Sequence, residues 1–158
     1  MSKYSKSQEY RLAKHLEKIQ GVEIIKYYGN REKNRGDFLV KVGTKQVRIE
    51  HKSTENQKAI TLHKDWMLKA IGACLRLQGE EGVSIPLVTF SLKYCPQIYT
   101  WSVCNFGGRV GLTGMLGVTR TMRLEDLEIY GGHFIQLEIG EINTYIHRLE
   151  YWMEAIQG

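Results

Sequence analysis

The sequence predicts an α/β fold in which a mixed β-sheet of about five strands is flanked by helices. Two observations indicate this class. Short runs of alternating or β-branched residues, typical of strands, are separated by longer segments with helical spacing of apolar residues. One helical segment precedes the strands and another divides them, an order that requires both hairpin and crossover connections. The 158 residues, 42% of them hydrophobic, are enough for one domain with its own core.

The first predicted helix covers residues 5–20. Ser5 or Ser7 is the expected N-cap, because serine oxygens accept hydrogen bonds from the first free N–H groups of a helix. Gly21 is the expected stop, since glycine readily adopts the left-handed conformation that ends helices. The apolar stripe of this helix consists of Leu12, Leu16 and Ile19.

Glu9 lies three residues before Leu12 and seven before Leu16, so its carboxylate projects close to the apolar stripe. Two interpretations are open from helix geometry alone. Acidic residues are favoured in the first turn of a helix by its dipole, which is a purely structural role. Alternatively, a carboxylate on the buried side of a helix belongs to a functional site.

A strand is predicted at residues 22–28, where the sequence VEIIKYY is rich in β-branched and aromatic residues. The loop that follows, residues 29–36, carries Arg31, Lys33 and Arg35. These cations either face solvent or contact phosphate groups of a nucleic acid.

Residues 37–42 and 45–52 predict a β-hairpin, because two alternating runs are separated by Gly43-Thr44, a pair suited to a two-residue turn. That turn fixes the register, so that paired residue numbers sum to 87. The expected pairs are Val42 with Lys45, Val40 with Val47, Phe38 with Ile49, and Asp37 with Glu50.

This register brings Asp37, Glu50 and Lys52 to one face of the hairpin, because alternate residues of a strand share a face. Two carboxylates with a neighbouring lysine suit a hard divalent cation such as Mg²⁺, which takes oxygen ligands. The spacing D-x12-E-x-K is itself weak evidence, and a solvated ion pair between strands is the structural alternative. Directly opposed like charges are destabilising, however, and a cation would compensate them.

After the hairpin we expect a polar connection at 54–59 and a helix at 62–78, capped by Thr61. Two further strands are predicted at 85–92 and 97–103. Lys58 and Lys64 come before or at the start of the helix and face the open end of the hairpin if the helix packs on the sheet. The predicted buried stripe of this helix is Trp66, Ala70, Ala73, Cys74 and Leu77.

The last third of the chain begins with a glycine-rich stretch, residues 107–117, which we interpret as a loop without a phosphate-loop motif. A short element is predicted at 121–127 and a strand at 133–139. Residues 141–156 are predicted as a helix with one broad apolar face, which would dock on the domain or on a second subunit.

Charge and cysteine content restrict the class of protein. The net charge of +5 favours a polyanionic partner. Three cysteines, Cys74, Cys95 and Cys104, form no zinc-site pattern, and an odd number argues against a disulfide framework. No apolar run approaches the roughly 20 residues needed to span a bilayer, and the first residues lack the apolar core of a signal peptide. We therefore expect a cytoplasmic protein without a membrane partner.

The segments G-D-F at 36–38 and R-I-E-H-K-S at 48–53 resemble the PD-(D/E)XK nuclease motif. Asp37 matches its metal-binding aspartate, Glu50 its second acidic ligand and Lys52 its lysine. The resemblance implies a restriction-endonuclease-like sheet and a metal-dependent nuclease activity on DNA.

The wider pattern is similar to Holliday junction resolvases of the archaeal and phage type. In that group an N-terminal helix contributes a further glutamate, and Glu9 stands at the matching position. The sequence KAITLHKDWMLKA at 58–70 also resembles the helix that follows the motif in phage-type members. Gly36 replaces the family's frequent proline. The resemblance covers about residues 5–104, so residues 1–158 are expected to form one nuclease domain whose extension, 105–158, has no assigned role.

The resemblance implies that Glu9, Asp37, Glu50 and Lys52 are catalytic. It also implies that Glu9, Asp37, Glu50 and the main-chain carbonyl of His51 bind Mg²⁺, for which Mn²⁺ would substitute, while the His51 side chain points to the core. The expected DNA-binding residues are Arg31, Lys33, Arg35, Lys58 and Lys64.

The first functional hypothesis is a Holliday junction resolvase acting on four-way DNA junctions as a homodimer, since two symmetric cuts require two identical sites. The dimer interface would be the C-terminal helix or the segment around Trp66. The alternatives are another nuclease of the same chemistry, whether nicking, repair, restriction or exonuclease type, and a non-catalytic nucleic-acid-binding protein that keeps the fold.

Overall fold

The computed structural model describes residues 2–29, 34–130 and 133–158. The elements along the chain are α1 (Lys3–Glu17), β1 (Val22–Tyr27), β2 (Phe38–Val42), β3 (Lys45–Thr54), β4 (Ala59–His63), α2 (Lys64–Arg76), α3 (Gln78–Glu81), β5 (Ile85–Leu92), β6 (Tyr99–Ser102), β7 (Val110–Met115), β8 (Thr119–Arg123), α4 (Leu124–Ile129), β9 (Phe134–Ile139), β10 (Ile142–Arg148) and α5 (Leu149–Gln157).

Eight of the described strands form one sheet in the order β1-β2-β3-β5-β6-β10-β9-β7, while β4 and β8 form a separate antiparallel pair. The sheet is mixed, as predicted, with parallel pairs β3–β5 and β7–β9. It has eight strands instead of about five. Two strands of this sheet were not predicted from the sequence: β7, which lies in the glycine-rich stretch, and β10, which lies inside the predicted C-terminal helix.

Helix α1 begins earlier than predicted. Its N-cap is Ser2, whose side-chain oxygen accepts a hydrogen bond from the N–H of Ser5 at 3.1 Å. Glu9 therefore lies well inside the helix, where a first-turn capping role is excluded. Leu12 and Leu16 of the predicted stripe are fully buried against the hairpin.

The segment before α2 is a strand and not part of a helix or a polar connection. Thr61, the predicted cap, lies in β4 and contacts the Thr121 hydroxyl of β8 at 3.0 Å. Helix α2 instead begins at Lys64, with His63 at its N-cap position and no side-chain cap. The partner of β4 lies some sixty residues away in the chain, so local sequence could not indicate this pairing.

The predicted helix at 141–156 is wrong in its first half. Residues Ile142–Arg148 form β10, which pairs with β6 on one side and β9 on the other. The apolar residues of this segment fit a helical period, but two neighbouring strands satisfy its backbone hydrogen bonds. Only Leu149–Gln157 is helical.

Helix α5 packs on the sheet of its own chain. Its apolar residues Leu149, Trp152, Met153 and Ile156 are at most 2% exposed and belong to the same core cluster as α1 and the hairpin. Of the two partners expected from the sequence, the domain itself therefore covers this apolar face, which is not available to a second subunit.

The two faces of the central sheet are covered by different helices. Helices α1 and α5 cover the face that carries Val40, Val47 and Ile49. Helix α2 lies over the other face, where Met67 and Ala70 pack with Val88 and Phe90 of β5. Within the described residues, no helix is both long enough and apolar enough to cross a membrane.

Candidate active site at the open end of the hairpin

The β2–β3 hairpin has the predicted register. Val42 pairs with Lys45, and Phe38 pairs with Ile49. Gly43 has φ +61°, as a two-residue turn with glycine at its first central position requires. The apolar face that the register predicted is buried, with Phe38, Val40, Val42, Val47 and Ile49 at most 2% exposed.

The strand pairing ends at Phe38, one residue short of the expected Asp37–Glu50 pair. The Asp37 N–H donates instead to the Ile49 carbonyl at 2.7 Å. The Asp37 carboxylate accepts a hydrogen bond from the His51 N–H, also at 2.7 Å. The Asp37 carbonyl also accepts a hydrogen bond from the Tyr28 N–H at 2.9 Å, so three hydrogen bonds with backbone groups hold Asp37 at the end of the hairpin.

Gly36 explains why the chain can enter the hairpin in this way. Its φ is +79°, and a Cβ at this position would lie 2.9 Å from the Ile49 carbonyl oxygen. Proline, with φ near −65°, cannot adopt this conformation. The departure from the resembled motif at this position is thus a requirement of the local backbone.

Glu9 reaches the site from α1 and is only 4% exposed. The Tyr27 hydroxyl donates to its Oε2 at 3.2 Å. A buried carboxylate is costly unless it is paired or hydrogen-bonded. Glu9 therefore belongs to a polar cluster within the protein and not to the solvated surface of α1.

The pKa values of Asp37 and Glu50 are both shifted by burial and by a neighbouring carboxyl group. Burial, together with a side-chain hydrogen bond and negative charge from Glu9, raises the pKa of Asp37 from its ordinary 3.8 to about 7. Burial also raises the pKa of Glu50, and the charge of Asp37 adds to this effect. A hydrogen bond between two carboxyl groups requires a proton on one of them. Without a cation, the cluster therefore holds more protons than free carboxylates would.

Lys52 shares the face of Glu50, as the register predicts. Its Nζ lies 3.4 Å from Glu50 Oε1 and 5.3 Å from the centre of the Trp66 ring. Both side chains of the ion pair are about one-third exposed, so solvent screens their attraction. The positive charges of Lys52 and Lys69 oppose the rise in the pKa of Glu50 without cancelling it.

The side chain of His51 points away from Glu50, in the predicted direction. Its Nδ1 lies 2.6 Å from the Thr89 hydroxyl and its Nε2 3.2 Å from the Ser91 hydroxyl. Burial lowers the pKa of His51 to about 3, and the charges of Arg11 and Lys52 act in the same direction. The imidazole is thus neutral near pH 7 and joins β3 to β5. A metal-binding role for the His51 carbonyl stays a prediction.

A cleft of about 400 Å³ opens beside Glu50 and Lys52, between β3 and α2. Its α2 wall includes Trp66, Lys69 and Arg76. The sequence analysis did not assign Lys69 and Arg76 to the site. They lie three and ten residues after Trp66, so all three side chains lie on one side of a helix. This spacing could have indicated from the sequence that they belong to the site.

The predicted DNA-binding residues are more dispersed. Arg31 and Lys33 lie outside the described residues. The Arg35 guanidinium contacts Glu80 at 3.1 Å and Glu81 at 3.2 Å. Lys58 is exposed and lines a separate cleft beside α4, and Lys64 opens α2. None of the three described residues lines the cleft beside Glu50.

The chemistry of the donors suits a divalent cation. Glu9, Asp37 and Glu50 offer carboxylate oxygens, and two of these groups have raised pKa values that a nearby positive charge would lower. In the ranges 2–29, 34–130 and 133–158, no group of three or more His, Cys, Asp or Glu side chains is arranged so that it could hold a metal ion. Binding would therefore include a rearrangement of these side chains.

Comparisons with known proteins find similarity among solved structures. No model of a known protein family matches the chain, and no curated protein sequence matches it. A solved structure with a similar fold is that of a Holliday junction resolvase from Archaeoglobus fulgidus, an archaeal hyperthermophile. The two chains are 18% identical, the alignment covers 61% of this chain and 74% of the other, and the TM-score is 0.45. The likeness concerns the fold alone.

Proposed function

We propose that this protein is a divalent-cation-dependent DNA endonuclease that hydrolyses phosphodiester bonds in branched DNA, with four-way junctions as the preferred substrate. The observation that carries the proposal is the convergence of three carboxylates, Glu9, Asp37 and Glu50, beside Lys52 at the edge of a cleft with basic walls. Buried carboxyl groups with raised pKa values, next to a cleft, are typical of functional sites.

Each residue has a proposed role. Asp37 and Glu50 would bind Mg²⁺ or Mn²⁺, with Glu9 and the His51 carbonyl as further oxygen donors. Such a cation supplies a water of lowered pKa and stabilises negative charge on the phosphate. The Lys52 ammonium donates a hydrogen bond to the attacking water or to the scissile phosphate, which orients the reacting groups.

The cleft would hold the strand that is cut. Lys69 and Arg76 lie along its α2 wall, where their charges would contact phosphates on either side of the scissile bond. Arg76 also donates a hydrogen bond to the carbonyl of Asn34, and this bond joins α2 to the segment before β2. The net charge of +5 adds a general attraction for DNA.

The preference for junctions rests on the resemblance of the motif and on symmetry. Junction resolution needs two paired cuts, which a two-fold dimer provides through two identical sites. Because the apolar face of α5 is buried in its own chain, the proposed dimer contact is the segment around Trp66 on α2, through Leu68 and Leu75, which are exposed on the side of the helix away from the Trp66 ring.

The test is cleavage of four synthetic substrates, namely a four-way junction, a nicked duplex, a linear duplex and a single strand, with Mg²⁺, Mn²⁺ or EDTA. We expect paired symmetric nicks on the junction, no cutting in EDTA, and a dimer by analytical ultracentrifugation. Metal-dependent cutting of linear duplex would retain the nuclease but contradict junction specificity. Binding without cutting of any substrate would favour the non-catalytic alternative.

A further inference from the structure

Trp66 connects the candidate site to α2. Its indole ring lies under the Lys52 ammonium, with 5.3 Å between Nζ and the ring centre. The Trp66 ring also contacts the ring of His63, the N-cap residue of α2, with the two ring centres 4.8 Å apart. The partly buried Trp66 packs against the larger core cluster, so its ring has little freedom to move. Lys52 thus lies over a fixed aromatic surface.

Lys52 has two anchors of different kinds. One is the Glu50 carboxylate at 3.4 Å, and the other is the Trp66 ring. If Glu50 binds a divalent cation, its oxygens are engaged and its charge is neutralised, so its attraction for Lys52 weakens and the cation repels the ammonium. The aromatic ring does not bind the cation and keeps its attraction for the ammonium.

We propose that Trp66 is a positioning residue that keeps the Lys52 ammonium at the edge of the cleft when Glu50 is engaged with the cation. This inference rests on the proposed nuclease function. It predicts that loss of the ring slows cleavage of bound DNA and leaves DNA affinity unchanged, because Lys52 acts on the reacting groups and not on the bulk of the phosphate backbone.

The experiment compares Trp66→Leu with Trp66→Phe, which keeps an aromatic ring. Tyr94→Leu is the matched control, since Lys93 lies over the Tyr94 ring at the same 5.3 Å on an exposed surface outside the cleft. We expect Trp66→Leu to lower the cleavage rate at saturating junction about tenfold, Trp66→Phe to retain most of the rate, and Tyr94→Leu to match the wild type.

Affinity is measured separately, with the same junction in EDTA. Trp66→Leu should bind within about twofold of the wild type, since the number of cations that meet phosphates is unchanged. A loss of affinity with a normal rate at saturation would overturn the proposal and make Trp66 a base-stacking residue. Equal rates for Trp66→Leu and the wild type would also overturn it.

A second readout needs no activity. In NMR spectra, ring currents of Trp66 should shift the Lys52 methylene protons upfield, and this shift should persist when Mg²⁺ is added. It should disappear in Trp66→Leu, whose native fold is checked by the unchanged resonances of the distant β9–β10 hairpin. A shift that is lost from the wild-type protein on addition of Mg²⁺ would contradict the proposal.

Failure of this inference is distinguishable from failure of the proposed function. A wild-type protein that cuts none of the four substrates contradicts the nuclease itself. A wild-type protein that cuts, with Trp66→Leu equally fast, contradicts only the positioning role.

Discussion

Two clusters of buried and half-buried charged side chains lie next to each other along β3. In one cluster positive and negative charges are paired, whereas the other brings negative charges together. The paired cluster consists of Arg48, Glu81, Tyr28 and Arg35. The carboxylate cluster consists of Glu9, Asp37 and Glu50. Arg48 and Glu50 are two residues apart on one face of the same strand, so the two clusters share a sheet and differ in the charges they collect.

In the paired cluster every strong charge meets its opposite. Arg48, 2% exposed, contacts Glu81 at 2.8 Å and donates to the Tyr28 hydroxyl and the Arg35 carbonyl. Burial alone would raise the pKa of Glu81, but hydrogen bonds from Tyr28 and Arg48 and the nearby positive charges lower it overall. This cluster joins α3 to the strands and has the electrostatics of a structural element.

The carboxylate cluster brings negative charges together and shifts pKa values upward. Such an arrangement opposes folding of the metal-free protein, whereas the paired cluster supports it. The contrast supports the proposal that the carboxylate cluster serves a function, because only a bound cation would complete its charge balance.

The largest expected effect is on catalysis. Asp37→Asn removes a carboxylate that would bind the cation, so cleavage of the junction should fall on the order of 10³-fold or more. Binding of the junction should be retained, because affinity comes mainly from cations that meet phosphates. The control is Asp126→Asn in α4. An equal loss of binding and cleavage would argue against the metal role.

The paired cluster should show its largest effect in stability. Arg48→Met leaves Glu81 buried without its main partner, which should cost about 3–5 kcal/mol of unfolding free energy in urea. Arg123→Met breaks an exposed ion pair with Glu125, 3.1 Å long, and should cost less than about 1 kcal/mol. Similar losses for the two variants would mean that the paired cluster stabilises the fold no more than an exposed ion pair does.

Addition of a divalent cation should act on the carboxylate cluster alone. At a hundredfold excess over Kd, Mg²⁺ or Mn²⁺ should stabilise the wild-type protein by about 2.7 kcal/mol. Thermal unfolding measures this gain, which should shrink in Asp37→Asn. The gain should be unchanged in Lys18→Gln, which changes an exposed residue at the C-cap of α1, nine residues after Glu9. Equal gains in Asp37→Asn and the wild type would place the cation elsewhere.

The raised pKa of Asp37 predicts a pH dependence in EDTA. Between pH about 4 and about 7, folded Asp37 keeps a proton that the unfolded chain has lost, so its contribution to stability falls as pH rises. His51 and His147, whose pKa values are lowered, act in the opposite sense in both proteins. The difference in unfolding free energy, Asp37→Asn minus wild type, should therefore increase with pH, by at most about 1.4 kcal/mol per unit.

The smallest expected effect concerns the wall of the cleft. Lys69→Gln should weaken junction binding a few-fold and reduce the slope of log affinity against log salt by about 1. Lys18→Gln, with the same change of charge on α1, should leave both unchanged. If the two variants behave alike, Lys69 does not contact the DNA.

Much of the hairpin was predictable because its determinants are local. The turn at Gly43-Thr44 and the alternation on each side fix the pairing of Phe38 with Ile49 within fifteen residues of chain. The same alternation places Lys52 on the face of Glu50. The strand at Ile85–Leu92 was likewise predicted in full, since a continuous run of β-forming residues is bounded by turn residues.

The predictions of secondary structure are wrong where contacts with segments distant in the chain determine the structure. Residues 142–148 have apolar spacing that fits a helix, and only β6 and β9 on either side make them a strand. Residues 59–63 were divided between a connection and a helix because their partner, β8, lies some sixty residues away, where only a short element at 121–127 was predicted. A strand forms its backbone hydrogen bonds with neighbouring strands, and its own sequence does not identify which strands these are.

The hairpin, its register and the candidate residues Asp37, Glu50 and Lys52 follow from the amino-acid sequence, because turn geometry and a two-residue period act over short distances. The surroundings of these residues depend on the packing of distant segments. The packing of α1 buries Glu9 and raises the pKa of Asp37, and the packing of α2 brings Trp66 and Lys69 to the cleft. Burial and charge proximity depend on segments far apart in the chain, and local sequence patterns do not contain that information.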